Sequence, residues 1–128
     1  MKIKRILKYL KSTLKIGIYY KSRCKVGILE AYSNADFAGD PETQRSTSGM
    51  VCKHSDGAIT WLSRKQQSVS LSTTESEFIA ASEAAKKLIW LKRLIEEIVK
   101  LKENPVLMVD NVGALKFAKN PEFHKRTC

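Results

Sequence analysis

The sequence predicts a mixed α/β fold, a sheet of antiparallel strands joined by a helical crossover to a parallel strand. Three observations predict it. Short apolar runs separated by turn residues fill the first half of the chain, and the apolar period then switches from strand-like to helix-like near residue 72. A second short apolar run then precedes one more helical stretch.

The first element stands apart from that pattern. Ile3, Ile6, Leu7, Leu10 and Leu14 recur at helical spacing with Lys and Arg between them, so residues 2–15 are predicted as a basic amphipathic helix. Three roles suit such a helix: packing on the domain while its cations Lys4, Arg5 and Lys8 meet phosphates, lying on a membrane surface, or serving as an organellar targeting peptide. Of the 23 Lys and Arg residues, nine fall in residues 1–25, which hold no acid; the other fourteen nearly balance thirteen acids. The net charge of +10 therefore belongs to the N-terminal segment, the footprint of a polyanion partner.

Residues 26–33 read as a first strand, ending in the acidic and small-residue tract Glu30–Asp40. Ser48–Lys53 and Ala58–Ser63 flank His54-Ser55-Asp56-Gly57, a hairpin signal. Ser72-Thr73-Thr74-Glu75 is a capping box, with Thr74 and Glu77 as a second register. Phe78 to Ile98 then carry helical spacing to about Lys100, with a kink or break expected near Lys86. Pro105–Val109 is a short strand suited to a parallel pair, and Val112–Lys119 a final helix. The order is β-β-β-α-β-α behind a basic helix.

No apolar run approaches the ~18 residues of a membrane span. Cys24, Cys52 and Cys128 form no metal-type pairing, which fits free thiols in a reducing, intracellular setting, cytoplasmic or nuclear rather than secreted. Cys52 near His54 is a weak candidate thiol nucleophile, set against ordinary packing. Arg45 and Ser46 are candidate nucleic-acid contacts or else stabilise their own loop; His124, Lys125 and Arg126 are candidate phosphate contacts or solvated loop charge.

Strand and helix ends in such a sheet can gather acids from distant positions. Asp36 after the first strand, Glu77 in the first turns of the long helix and Asp110 at the end of the last strand are candidate ligands for hard cations such as Mg2+. Ordinary roles compete: Asp110 as a helix cap, Glu77 as a cap or part of a solvated face.

The tracts "YSNADFAGDPETQRSTSGMV", "GAITWLSRKQQSVSLSTTESEFIAASEAAKKLIWLKRLIEE" and "VDNVGALKFAKNPEFHKRT", preceded by "KRILKYLKSTLKIGIYY", resemble the ribonuclease H region of copia-type retrotransposon polyproteins. The likeness runs from residue 4 to residue 127. It implies a ribonuclease H-like fold and metal-dependent hydrolysis of the RNA strand of an RNA–DNA hybrid. It also implies a reverse transcriptase domain in the same polyprotein. Residues 1–25 would then be the connection to a polymerase region and 26–128 the ribonuclease H-like domain, expected to be incomplete at its C-terminus.

Four carboxylates holding two Mg2+ (or Mn2+) ions are implied by the resemblance. They fall on residue 34, on Glu77, on Asp110 and on a C-terminal position expected beyond Cys128. This chain has Asn34 where the family pattern "YSDADWAG" has its first Asp. The expectation is a degenerate, inactive centre in which Glu77 and Asp110 remain, Asn34 marks the lost ligand and Asp36 is a candidate substitute. If the strand continued, Asp36 would face the same side ~6–7 Å further along. A non-catalytic nucleic-acid-binding module, or a remnant without selected function, are the competing readings. With the last strand missing, the strand Val106–Val109 is expected at a sheet edge.

Overall fold

A computed structural model describes residues 2–20, 28–101 and 103–119. The elements are α1 (Lys2–Ser12), β1 (Glu30–Asp36), β2 (Thr47–His54), β3 (Gly57–Lys65), α2 (Thr73–Glu96), β4 (Val106–Val109) and α3 (Val112–Lys119). Cys24, Cys128, His124, Lys125 and Arg126 lie outside the described residues, as do residues 26 and 27 of the predicted first strand.

The four strands form one mixed sheet in the order β3-β2-β1-β4, antiparallel except for the parallel pair β1–β4. This is the predicted mixed α/β fold, consistent with a ribonuclease H-like architecture, and β4 lies at the sheet edge. Strand β1 runs further than its sequence suggested. The ladder to β2 continues through Asn34↔Gly49 to Asp36↔Thr47, so residues 34 and 36 sit within the strand. Small and acidic residues have poor strand propensity, but pairing with β2 overrides it.

Alternation assigns Ala31 and Ser33 to the face under α2, and Tyr32, Asn34 and Asp36 to the opposite, exposed face. On the α2 face the core gathers Leu29, Ala31, Met50, Cys52, Ala84, Leu88 and Leu91, with Ile59, Ile95, Leu101 and Leu107 against it. Helix α2 buries Ser76, Glu77, Ala80, Ala84, Leu88 and Leu91, a stripe at helical spacing. Its small residues at 80 and 84 let the helix lie close to the sheet. No break occurs at Lys86; the helix is continuous because Ala84, Leu88 and Leu91 keep one face packed across that position.

The hairpin between β2 and β3 turns on Ser55 and Asp56, with φ of 53° and 63°. Two successive left-handed residues make the turn that matches strand twist. Gly57 is thus the first residue of β3, not a corner of the turn.

Helix α1 forms as its periodicity predicts, but it does not pack on the domain. It makes no contact with another element of the described structure, and Ile3, Ile6, Leu7 and Leu10 are all exposed. Intramolecular packing of that stripe is therefore corrected: no described face of the domain receives it.

Candidate functional site around Asn34, Glu77 and Asp110

Helix α2 begins with Ser72 as its cap, its hydroxyl accepting from the N–H of Glu75 at 3.1 Å. The Glu75 carboxylate reaches back to the N–H of Leu71 at 2.6 Å. The cap is thus complete without Glu77, which is 8% exposed and turned toward the sheet. Its Oε1 accepts from the N–H of Ala35 in β1 at 3.1 Å. Glu77 is neither a cap nor part of a solvated face.

A parallel assignment holds at α3. Asn111, not Asp110, is the cap: its Oδ1 accepts from the N–H of Ala114 at 3.1 Å and its carbonyl from Leu115 at 3.2 Å. Asp110, directly after β4, is exposed and released from capping. A Cβ on Gly113 would stand 2.9 Å from Asn111 Oδ1 and 3.1 Å from Thr74 Cγ2. The missing side chain at 113 therefore lets the first turns of α2 and α3 meet, which sets Asp110 beside the Glu77 end of α2.

Parallel pairing of β1 with β4 puts Ser33 opposite Val109. Asn34 and Asp110, the next residues on each strand, then line one shallow cleft of about 310 Å3 with Tyr32, Ser33, Met108 and Val109. The carboxyl pKa of Glu77 is raised, first by burial and further by the nearby Asp110 charge, against the lowering effect of the Ala35 N–H. Two oxygens here are shielded from water without a hydrogen-bond partner, Glu77 Oε2 and Ser33 Oγ. Such groups carry a desolvation cost, and they concentrate where a site handles a ligand.

The sheet thus brings Asn34 and Asp110 to one cleft, sets Glu77 near Asp110 but bonded to Ala35 on the α2 side, and leaves Asp36 apart. The Asp36 carboxylate lies over Gly39, at the turn that follows β1. Among the described residues no three His, Cys, Asp or Glu side chains converge in a way that could hold a metal ion. The cleft itself offers the Asp110 carboxylate and the neutral amide of Asn34, with Glu77 buried on the α2 side. Such donors do not fit a two-ion centre, which needs several bridging anionic oxygens.

The remaining candidates separate clearly. Ser46 is fully buried, and its Oγ accepts from the N–H of Ala38 at 3.2 Å. It stabilises its own loop and presents no surface to a phosphate, while Arg45 beside it is exposed. Lys4, Arg5 and Lys8 are exposed on α1. Cys52 is wholly buried in the core, and burial pushes its thiol pKa up, which removes it as a nucleophile.

One positioning residue escaped the sequence reading. Gln66, 3% exposed, donates to Ser48 Oγ and to the carbonyl of Ser76, both at 2.9 Å, and accepts from Ser70 Oγ at 2.9 Å. It ties the end of β3 and the middle of the sheet to the first turn of α2, one residue from Glu77. Its signal in the sequence was an amide amid polar neighbours, which resembles ordinary loop chemistry.

No family profile matches the chain and no solved structure matches it. Among curated proteins it is 39% identical over 125 residues, 98% of its own length, to the retrovirus-related Pol polyprotein from transposon TNT 1-94 of Nicotiana tabacum. It is 38% identical over 125 residues to the Pol polyproteins from transposons RE1 and RE2 of Arabidopsis thaliana. It spans only 9% and 8% of the length of those relatives. Over 89 residues it is 46% identical to the secreted RxLR effector protein 161 of Plasmopara viticola, covering 62% of that protein. Over nearly its whole length, then, the chain is homologous to one short segment of retrovirus-related Pol polyproteins from transposons.

Proposed function

We propose that this chain is the ribonuclease H-type domain of a transposon Pol polyprotein, which receives an RNA–DNA hybrid at the cleft of Asn34 and Asp110 but no longer cleaves it efficiently. The observation that carries this reading is Asn34 itself. It lines the cleft with Asp110, at the strand position where a carboxylate is expected from the resemblance. The amide keeps an oxygen there and loses the charge that a hard cation needs.

Binding does not depend on that charge. The exposed cations of α1 together with Arg45 supply sequence-independent attraction to phosphates, so affinity for hybrid persists without metal and falls steeply as salt rises.

The test is cleavage of an end-labelled RNA–DNA hybrid with Mg2+ or Mn2+, alongside fluorescence anisotropy of the same hybrid in EDTA. The unmodified chain is expected to bind and not cleave. Asn34→Asp, alone and within the longer polyprotein segment, is expected to gain cleavage that Asp110→Asn then removes. Cleavage by the unmodified chain would overturn the lapsed-centre reading, and absence of hybrid binding would overturn the functional reading altogether.

A further inference from the structure

A second groove opens on the α2 side of the sheet, away from the cleft. Helix α2 lies over β1 and β2, which leaves the β3 flank uncovered. The resulting groove, about 640 Å3, has Thr60, Leu62 and Arg64 of β3 along one side and Glu83, Lys86, Lys87 and Trp90 of α2 along the other. Trp61 stands at its rim.

Three kinds of group meet there. Arg64, Lys86 and Lys87 oppose the single acid Glu83, and neither Arg64 nor Lys86 has an ion-pair partner among the described residues. Both tryptophans of the chain line the groove and are largely exposed, Trp61 at 66% and Trp90 at 51%. The Nζ of Lys87 lies 4.0 Å from the centroid of the Trp90 ring, which holds that indole in place by cation–π attraction. Glu83 borders the groove, with its Oε2 shielded from water and without a hydrogen-bond partner.

We infer that this groove binds an unpaired nucleic-acid strand: its cations take the phosphates, an exposed indole takes a base face, and Glu83 accepts from an exocyclic amino group. Each part answers one chemical feature of a nucleotide. Aromatic stacking with cationic tracking is how single strands are held without strict sequence demand. A carboxylate acceptor selects bases that carry an amino group. An acidic peptide would satisfy the cations alone, leaving exposed indoles and the orphan acceptor without a role.

The position adds to the argument. Arg64 is in register with Ser48, which pairs with Ala35, the residue that donates to Glu77. From Glu77 the helix rises ~9 Å to Glu83 and ~20 Å to Trp90. The groove therefore begins level with the cleft and leads away from it, suited to the single strand that leaves the end of a hybrid. This inference rests on the functional reading above, and the test separates the two.

The test uses Trp61→Phe, in which Trp90 is the only indole, titrated with a twelve-residue oligodeoxycytidine in EDTA while tryptophan emission is followed. Saturable quenching is expected, weaker with oligodeoxythymidine, which lacks an amino group. In the otherwise native chain Trp90→Ala should weaken oligodeoxycytidine binding, read by anisotropy, roughly five- to a hundredfold. Arg64→Glu should weaken it as well, while hybrid binding changes by less than either. Glu83→Gln should reduce the preference for cytidine over thymidine.

Hybrid binding with no Trp90 quenching by the oligonucleotide would overturn the groove and leave the functional reading standing. Loss of both would overturn both. Equal quenching by polyglutamate would show a site for acidic chains instead. Failure of the oligonucleotide to quench Trp90 in the longer polyprotein segment would show that protein covers the groove, and would also overturn the inference.

Discussion

The Oε1 of Glu77 accepts the backbone N–H of Ala35 at 3.1 Å, so the buried carboxylate of α2 is fixed to the strand that carries Asn34. The bond anchors only one oxygen. Oε2 stays buried and unpaired, and burial with the neighbouring Asp110 charge raises the Glu77 pKa. A raised folded-state pKa means that the folded protein takes up the proton more readily than the unfolded chain. Its stabilising effect is complete below the unfolded value, near 4.5, and is lost as pH rises through the folded value. Glu77→Gln keeps the acceptor for Ala35 and removes the charge. It is expected to raise stability at pH 7 by about 1 kcal/mol and to flatten the loss above pH 4.5. Urea unfolding of both proteins at pH 4.5 and pH 7 checks this; an equal difference at the two pH values would contradict it.

Replacing Asn34 by Asp works in the opposite sense. A negative charge beside Asp110 should lower stability by up to about 1 kcal/mol in EDTA, because like charges then share one cleft. Millimolar Mg2+ should recover that loss, since an ion bound only by the folded state stabilises it by mass action. Native Asn34 should respond far less to Mg2+. Thermal melts of the two proteins with and without Mg2+ decide it, and equal Mg2+ responses would refute the idea that charge at position 34 limits ion binding.

Gln66 offers a test of how the site is held. Its amide satisfies Ser48, Ser70 and the Ser76 carbonyl, all buried or at the first turn of α2. Gln66→Ala leaves several of these groups unpaired and should cost about 2–3 kcal/mol. Gln66→Glu keeps the size but turns the hydrogen bond to the Ser76 carbonyl into repulsion, while the Ser48 hydroxyl can turn to donate, and should cost a comparable amount. Chemical denaturation reads both; a loss under 0.5 kcal/mol for Gln66→Ala would show that water replaces the network.

The contrast between Gln66 and the helices shows which features can be read from one sequence. The alternation of short apolar runs, the switch to helical spacing near Ser72 and the stripe from Ala80 to Leu91 are local patterns, and local patterns map onto the elements directly. Strand β1 outruns its local pattern because Asn34 to Asp36 have poor strand propensity, while their ladder to Thr47–Gly49 is a tertiary fact. The cap of α3 is ambiguous for a similar reason: Asp110 and Asn111 are equally good capping residues, and only the folded contacts assign the role to Asn111 and free Asp110. Gln66 was unreadable because its partners lie 4, 10 and 18 residues away. The helix α1 was legible as an amphipathic element, but its amphipathic pattern carries no information about which surface covers it.

Asp40 organises the loop before β2 and gives an acid-side prediction. Lys65 at the end of β3 pairs with its carboxylate at 2.5 Å, and Thr43 donates to the same oxygen. The Lys65 hydrogen bond, then that from Thr43, lowers its pKa from 3.8 to about 2. A depressed carboxylate stabilises the fold above its unfolded value, and that contribution disappears as pH falls from about 3.8 to about 2. Lys65→Met should therefore lower stability at pH 5 and shrink the difference toward pH 2. Melting curves across that range test it, and a difference that stays constant down to pH 2 would contradict it.

The last prediction concerns Tyr20 and Gly57, which fasten the segment after α1 to the hairpin end. The Tyr20 hydroxyl donates to the carbonyl of Ala58 at 2.7 Å, and its ring lies where a Cβ on Gly57 would sit. Gly57 is buried with no left-handed backbone to satisfy, so the reason for glycine here is the close approach of the ring. Gly57→Ala should cost about 1–3 kcal/mol by forcing the ring away, and Tyr20→Ala about 1 kcal/mol through the lost hydrogen bond. Because the alanine methyl obstructs only a ring that is present, the double variant should be destabilised by less than the sum of the two, by at least 0.5 kcal/mol. A double-mutant cycle from urea unfolding measures that coupling. Strict additivity would mean that Tyr20 does not rest on Gly57 in solution, and that the segment joining α1 to the sheet is held by other contacts.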